Sequence, residues 1–276
     1  MKYYQPTSLT ELFELRSGLI SQSSILLAGG TDLVPRFERG MAMPDHLIDL
    51  KKLSELNQIQ ATESRVTIGA LTSIQDIQDN EVLATEFLAL HKASYDFAGA
   101  QIRHRGTIGG NICNASPAGD LLPALYAFEA ILTLSGPAGE RQLAIKDFIL
   151  GPGKTTLREA EILKSIILNR DQHLSDFQKV GLRQSMAISV VNVAFVYSKN
   201  DDTFKHLKIA AGAVAPTVVL LDSFASAFLK THENVLGLLQ LIEKDISPID
   251  DIRATASYRK KVLANLVKHF LSGQVS

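Results

Sequence analysis

Two glycine-rich segments are the parts of this sequence whose residue types could do chemistry. The first is Ala28-Gly29-Gly30-Thr31-Asp32-Leu33, which follows the apolar run Ser24-Ile25-Leu26-Leu27 and precedes a helical stretch opening near Val34. Glycines at a strand-to-helix junction let backbone N–H groups curl around an anion with no Cβ in the way, and a helix N-terminus adds a favourable field. A lone Gly-Gly pair is more often just a tight turn, so this segment needs support from elsewhere. The second runs Arg105-Gly106-Thr107-Ile108-Gly109-Gly110-Asn111-Ile112-Cys113-Asn114-Ala115-Ser116-Pro117-Ala118-Gly119-Asp120. It combines small residues for close backbone approach with hydroxyl and amide groups able to hydrogen-bond phosphate or polyol oxygens. A purely structural loop of this length is uncommon inside a compact domain, which favours a binding role.

The other candidates read structurally. Gly153-Lys154-Thr155 suggests a nucleotide-triphosphatase phosphate loop, but that motif needs a glycine at position 148, which is Phe148. Cys113 is the one cysteine in the chain. It rules out an intrachain disulfide, a multi-cysteine zinc site and a four-thiolate iron–sulfur cluster. With no base beside it, it reads as a small core residue rather than a nucleophile. The seven histidines show no metal-ligand spacing; His104 reads as a loop histidine, and its neighbours Arg103 and Arg105 could offset an anion or face a partner. Asp201-Asp202 falls in a turn, and Asp250-Asp251 precedes a helix whose dipole favours acidic residues. Any redox chemistry must therefore use an organic cofactor or a metal held by a partner.

These segments need elements to position them. With 276 residues, 46% hydrophobic and 21% charged, the chain can bury a sizeable core, and neither disorder nor an internal repeat is evident. A formal net charge of −1 with no long basic run gives no nucleic-acid surface. The N-terminus lacks the apolar core of a signal peptide, and the longest apolar run, Ile209 to Leu221, is interrupted by Pro216. It is too short for a membrane span and suits a buried hairpin, so a cytoplasmic chain is expected.

Ser8 and Glu11 form a capping-box pattern ahead of Leu9, Leu12, Phe13 and Leu19 at helical spacing. With strands at 24–27 and 46–50, residues 1–53 read as an αβαβ unit. Residues 54–171 change to hairpins and short helices: strands at 59–61 and 66–68, a helix capped by Ser73 and Asp76, a hairpin about Gly136-Pro137-Ala138-Gly139, and a strand from Glu161 to Leu168. Residues 172–276 open with a hairpin, 190–197 and 204–211 about Lys199-Asn200-Asp201-Asp202, and end in helices, the clearest at Ser257 to Leu271. The fold class is α+β.

The pair Ala28-Gly29-Gly30-Thr31-Asp32 and Thr107-Ile108-Gly109-Gly110-Asn111 resembles the two FAD loops of the flavin subunit in the xanthine dehydrogenase and carbon monoxide dehydrogenase family of molybdenum hydroxylases. Phe97-Ala98-Gly99, Asn114 to Asp120, Gly151-Pro152-Gly153-Lys154, Glu161-Ile162-Leu163 and Gly212 to Thr217 also match, in the family's order and over nearly the whole chain. Gly151 to Lys154 and Asn111 to Asn114 are most similar to bacterial xanthine dehydrogenase flavin subunits. The resemblance implies two α+β FAD-binding subdomains, 1–53 and 54–171, followed by a C-terminal domain, 172–276, with a small antiparallel sheet and helices. It implies that Leu26, Leu27, Ala28, Gly29, Gly30, Thr31, Asp32 and Leu33, with Thr107, Ile108, Gly109, Gly110 and Asn111, cradle the FAD pyrophosphate and its surroundings. Phe97 is then expected beside the flavin or adenine, Asp120 as an acceptor from the cofactor, Leu163 on the pocket wall and Lys179 in contact with the cofactor; spacing alone would leave Lys179 a solvated strand residue.

The function so implied is electron transfer. A molybdopterin large subunit hydroxylates the substrate, an iron–sulfur small subunit relays electrons, and the flavin subunit passes them to NAD⁺ or another acceptor through a face that docks a partner. Two other readings stand beside it: a free-standing FAD oxidoreductase, disfavoured by the lack of a substrate-directed acid or base, and an assembly module that has lost FAD, disfavoured by intact glycines in both segments.

Overall fold

The computed structural model describes residues 1–19, 22–171, 173–201, 203–231 and 235–274. Three sheets organise it. The first is parallel, with β1 (Lys2–Tyr4), β2 (Ser24–Leu27) and β3 (His46–Asp49) in the order β1-β3-β2, linked by α1 (Leu9–Ser17) and α2 (Leu33–Glu38). The unit is thus βαβαβ rather than αβαβ. The first strand has only three residues, too few to show a period, and is fixed by pairing with β3. The Ser8 hydroxyl accepts from the Glu11 N–H, but the Glu11 carboxylate caps Thr7 rather than Ser8, so the box closes one residue early.

The second sheet is antiparallel, built from β4 (Ile59–Ala61), β5 (Arg65–Gly69), β6 (Ile131–Gly136) and β7 (Gly139–Ala144) around a long central strand that follows them in sequence. Between β5 and β6 lie α3 (Ile74–Asp79), α4 (Glu81–Glu86), α5 (Leu88–Tyr95), α6 (Ala100–Arg103), α7 (Ile108–Asn114) and α8 (Leu121–Ala127). Ser73 and Asp76 complete a reciprocal capping box on α3. After α9 (Ile145–Phe148) and the two-stranded ribbon β8 (Ile149–Gly151) with β9 (Lys154–Thr155), the central strand β10 (Ile162–Asn169) pairs with both β5 and β6.

The second glycine-rich segment is therefore not one loop. Residues 108–114 form a helix capped by Thr107 and ended by Ala115 at φ +47. Helix propensity opposes Gly109 and Gly110, but packing overrides it: a Cβ on Gly109 would sit 2.6 Å from the Ala70 carbonyl oxygen.

The third sheet, order β11-β12-β13-β14, comprises β11 (Leu174–Gly181), β12 (Ser189–Asn200), β13 (Thr203–Gly212) and β14 (Val219–Leu220). β12 and β13 form the expected hairpin, in which Asp202 lies outside the described residues, and β13 with β14 makes an antiparallel pair across Pro216, its β14 side only half-buried. α10 (Asp222–Thr231), α11 (Val235–Leu238) and α12 (Ala256–Ser272) follow. The run Val190 to Tyr197 is apolar on both faces because both are covered. Val193, Phe195 and Tyr197 pack with Phe224, Phe228, Val267 and Phe270, while Ala194 and Val196 join the core built on α5, α8 and the second sheet. No helix among the described residues is long and apolar enough to cross a membrane.

One polar group anchors the last helix. Arg259, 2% exposed, donates to the Val190 and Ala213 carbonyls and pairs with Asp251 at 2.7 Å. Asp250 accepts from the Ala256 N–H near the start of the same helix, so both members of this acidic pair act structurally. Arg259→Ala removes a buried cation and leaves the Val190 and Ala213 carbonyls without their donor, while Asp251 keeps Arg253, and should cost about 3 kcal/mol. A shift of the urea midpoint with unchanged slope is the expected reading, and a midpoint equal to wild type would show the network to be dispensable.

Candidate functional site

The two glycine segments meet. Gly29 follows the end of β2, and a Cβ there would overlap the Arg105 carbonyl oxygen, so only glycine allows the contact. Gly30 takes φ +76, a conformation that favours glycine, and turns the chain into α2. Gly106 lies against Thr31 and Phe97 from the other side. Between the segments is a cavity of about 450 Å³, within the range of small-molecule and cofactor sites.

Fourteen of the seventeen residues expected at a cofactor site line this cavity: Leu26, Leu27, Ala28, Gly29, Gly30, Thr31, Asp32, Leu33, Phe97, Thr107, Gly109, Gly110, Asn111 and Leu163. Ile108 does not; like Ile112 it is fully buried on the core face of α7. Asp120 and Lys179 also lie off the cavity wall and pair with each other at 2.6 Å, both side chains more than nine-tenths buried. Ser189 and Asn192 donate to the other Asp120 oxygen. Burial pushes the Asp120 carboxyl above its ordinary value, against the pull of Lys179 and these donors. Lys179 is thus no solvated strand residue. Its ammonium also donates to the Asp96 carbonyl, while Arg103 donates to the carbonyls of Phe97 and Ala98. The turn presenting Phe97 to the cavity is held from two sides, with Ala98 at φ +43. This use of Arg103 was not legible from its neighbours in sequence; Arg105 remains exposed.

The polar supply of the two walls differs. In α7 the early N–H groups are already used: Ile108 on the Thr72 carbonyl, Gly109 on the Ala70 carbonyl, Gly110 on the Thr107 hydroxyl and Asn111 on the Thr107 carbonyl. Across the cavity, the N–H groups of Gly29, Gly30, Thr31 and Asp32 have no acceptor among the described residues. On the α7 side, the Asn111 side-chain oxygen is buried without a partner. A Cβ on Gly110 would approach only Thr107 Oγ1, at 3.0 Å, so the glycine keeps open space rather than close packing. Unpaired donors, an orphaned acceptor and a glycine-lined hollow are what an extended ligand with anionic and polar parts would complete.

Sequence reasoning missed Arg36, Met41 and Leu157, all on the wall. Arg36 stands four residues after Asp32 and pairs with it, a helical spacing that was readable. Cys113 also lines the cavity; burial pushes its thiol up to about 12, so it is protonated at neutral pH and no nucleophile. Among the described residues no group of three or more His, Cys, Asp or Glu could hold a metal ion.

Comparison with known proteins places this geometry. Residues 1–169 match the family described as the FAD binding domain in molybdopterin dehydrogenase, and residues 177–273 the CO dehydrogenase flavoprotein C-terminal domain. The chain belongs to the FAD-binding medium-subunit family of the xanthine dehydrogenase and CO dehydrogenase molybdenum hydroxylases. Its cofactor is FAD, and it is an oxidoreductase subunit. It is 30% identical to the carbon monoxide dehydrogenase medium chain of Hydrogenophaga pseudoflava, over 98% of this chain and 96% of that one. It is 27% identical to the xanthine dehydrogenase FAD-binding subunit of Escherichia coli O157:H7, over 99% and 96% respectively. The solved carbon monoxide dehydrogenase from Hydrogenophaga pseudoflava, lacking the Mo-pyranopterin moiety of its molybdenum cofactor, superposes with a TM-score of 0.93 at 29% identity, covering 100% of this chain and 98% of that one. The α+β fold read from the sequence is that of this medium-subunit family.

Glu161 fixes the remaining wall. Arg141 grips its carboxylate at 2.7 and 2.8 Å and also donates to the Thr156 carbonyl, while Arg16 donates to the Glu161 carbonyl from α1. These bonds tie down the stretch that carries Leu157 and Leu163. The hydrogen bonds from Arg141 hold the Glu161 carboxyl down at about 2. A depressed folded value contributes stability that is present above the unfolded value, about 4.3, and is lost as pH falls toward 2. Glu161→Gln should therefore cost about 2 kcal/mol at pH 7 and flatten the stability profile between pH 5 and 2. Thermal melts across that window check it; parallel wild-type and variant profiles would contradict it.

Proposed function

We propose that this chain is the electron-transfer station of a heteromeric molybdenum hydroxylase, accepting electrons from iron–sulfur clusters on a small subunit and handing them to NAD⁺ or another acceptor, while a molybdopterin large subunit carries the substrate chemistry. The observation that carries it is the pairing of two glycine segments around one cavity whose donors and acceptor lack partners. The N–H groups of Gly29 to Asp32 would receive the FAD pyrophosphate, Gly109 and Gly110 would let it approach α7, and Asn111 would find its missing donor on the cofactor. Phe97, Leu26, Leu27, Ala28, Leu33 and Leu163 would supply the apolar walls, and Thr107 would shape the α7 end. Asp120 and Lys179 would act through the Asp96–Phe97 turn they hold.

When bound, FAD supplies the redox chemistry, and the protein supplies binding, orientation and exclusion of water. Among the described residues no histidine, lysine, glutamate, serine or tyrosine lines the cavity, which supports this division. So does the single cysteine, which cannot hold a cluster and requires a partner to do so. Relatives of nearly equal identity are named for carbon monoxide and for xanthine. That spread fits a chain that does not itself select the substrate. We read residues 1–53 and 54–171 as the two FAD-binding subdomains and 172–276 as the domain that closes the core behind them.

The purified chain should show flavin absorbance bands and release FAD in a one-to-one ratio on heat denaturation, or bind it when titrated. Gly110→Val should lose FAD while keeping the wild-type circular dichroism, because Gly110 is on the cavity wall and a Cβ there would approach only the Thr107 hydroxyl, at 3.0 Å. Full flavin content in the variant would remove α7 from the site, and failure of the wild type to bind FAD at all would overturn the proposal.

A further inference from the structure

The first glycine segment carries a charge that works against the anion it is built to receive. Asp32 stands beside the unpaired N–H groups of Gly29, Gly30 and Thr31, and its carboxylate would repel a diphosphate. Arg36 cancels it. One turn along α2, the guanidinium pairs with Asp32 at 2.7 Å and donates at 2.8 Å to the side-chain oxygen of Asn114, at the far end of α7. Asp32, Arg36 and Asn114 all lie on the cavity wall, and Asp32 and Arg36 are about half exposed. The guanidinium thus spans the mouth from one glycine segment to the other. A half-exposed pair of this kind contributes little to folding, so its placement calls for another account.

We infer that Arg36 is a cofactor-retention residue, which neutralises Asp32 so that the rim of the cavity presents no net negative charge to the FAD diphosphate, with the bond to Asn114 only holding the guanidinium in place. The inference rests on the cofactor reading above and adds a residue and a charge logic to it. Charges that are half exposed at the wall of such a cavity act modestly on a bound anion and depend on salt. The guanidinium's fork geometry suits it to hold a carboxylate and an amide oxygen at once.

The test is titration of FAD into the flavin-free full chain, followed by quenching of flavin fluorescence at low and high salt. Arg36→Gln should raise the Kd roughly five- to tenfold at low ionic strength, the difference shrinking toward twofold at 0.5 M salt. Asp32→Asn alone keeps the backbone N–H and removes the repelling charge, so it should bind FAD more tightly than wild type at low ionic strength. The double variant Asp32→Asn with Arg36→Gln should recover most of the loss, and Arg36→Lys should stay near wild type. An Arg36→Gln variant that binds FAD like wild type would overturn the inference. So would a double variant as weak as Arg36→Gln, because Arg36 would then act through its bridge to Asn114 and not through charge. A wild-type chain that takes up no FAD would instead overturn the cofactor reading itself, and this inference with it.

Discussion

The contact between the Gly29 backbone and the Arg105–Gly106 backbone sets the geometry of everything around it. The segment after β2 and the link between α6 and α7 touch where no side chain fits, since a Cβ on Gly29 would overlap a carbonyl. A second contact of the same kind, Gly109 on Ala70, seats α7 against the end of β5. With both fixed, β2 and α7 can neither separate nor merge, and the hollow between them persists. The chain turns at Gly30, and the neighbouring N–H groups of Gly29 to Asp32 have no acceptors among the described residues. Half-buried donors of this kind are free to accept a ligand's anionic oxygens.

Around this contact the rim is held by charged groups that point away from the cavity. Arg141 and Glu161 fix one wall, Arg103 and Lys179 fix the Phe97 turn, and Asp120 is satisfied by Lys179, Ser189 and Asn192. Breaking a buried pair of the Asp120–Lys179 kind leaves an uncompensated charge, so its worth is more in specifying a geometry than in net stability. The third sheet takes part through this pair. Lys179 on β11 and Ser189 and Asn192 on β12 reach Asp120 at the start of α8, and the same strands bury Ala194 and Val196 against α5 and α8. The C-terminal part of the chain therefore shapes a cavity that it does not line.

Much of this was legible in residue order. Strands whose period and turn residues agree, such as 131–136 and 139–144 about Gly136-Pro137-Ala138-Gly139, appear where local chemistry places them. So does the segment after β2, because a strand, two glycines and a helix start are all local signals. The residues that escaped are those decided by distant partners. Helix α7 reads as loop because Gly109 and Gly110 oppose helix, and the contacts with Ala70 and Thr72 that favour it, beside the Thr107 cap, come from far earlier in the chain. β1 is three residues long and takes its structure from β3. Ile108 sits within a run of expected site residues yet faces the core, since a helix presents alternate faces where a loop would not. Lys179 and Asp120 could be placed near the site only by a resemblance; their pairing joins β11 to the start of α8 and has no local trace.

The two glycine segments are therefore not equivalent, although their sequences suggest the same device twice. A helix N-terminus attracts anions through donors that its own backbone cannot satisfy, and α7 has spent those donors on Ala70, Thr72 and Thr107 before any ligand arrives. It can offer proximity, a small surface at Gly110 and one orphaned acceptor at Asn111. Attraction for an anion must then come from the Gly29 to Asp32 side, where donors are free but an aspartate sits among them. A site arranged in this way depends on the local charge balance at its rim more than on a helix dipole. α2 carries the residue that sets this balance one turn beyond the aspartate, on the face that looks across to α7.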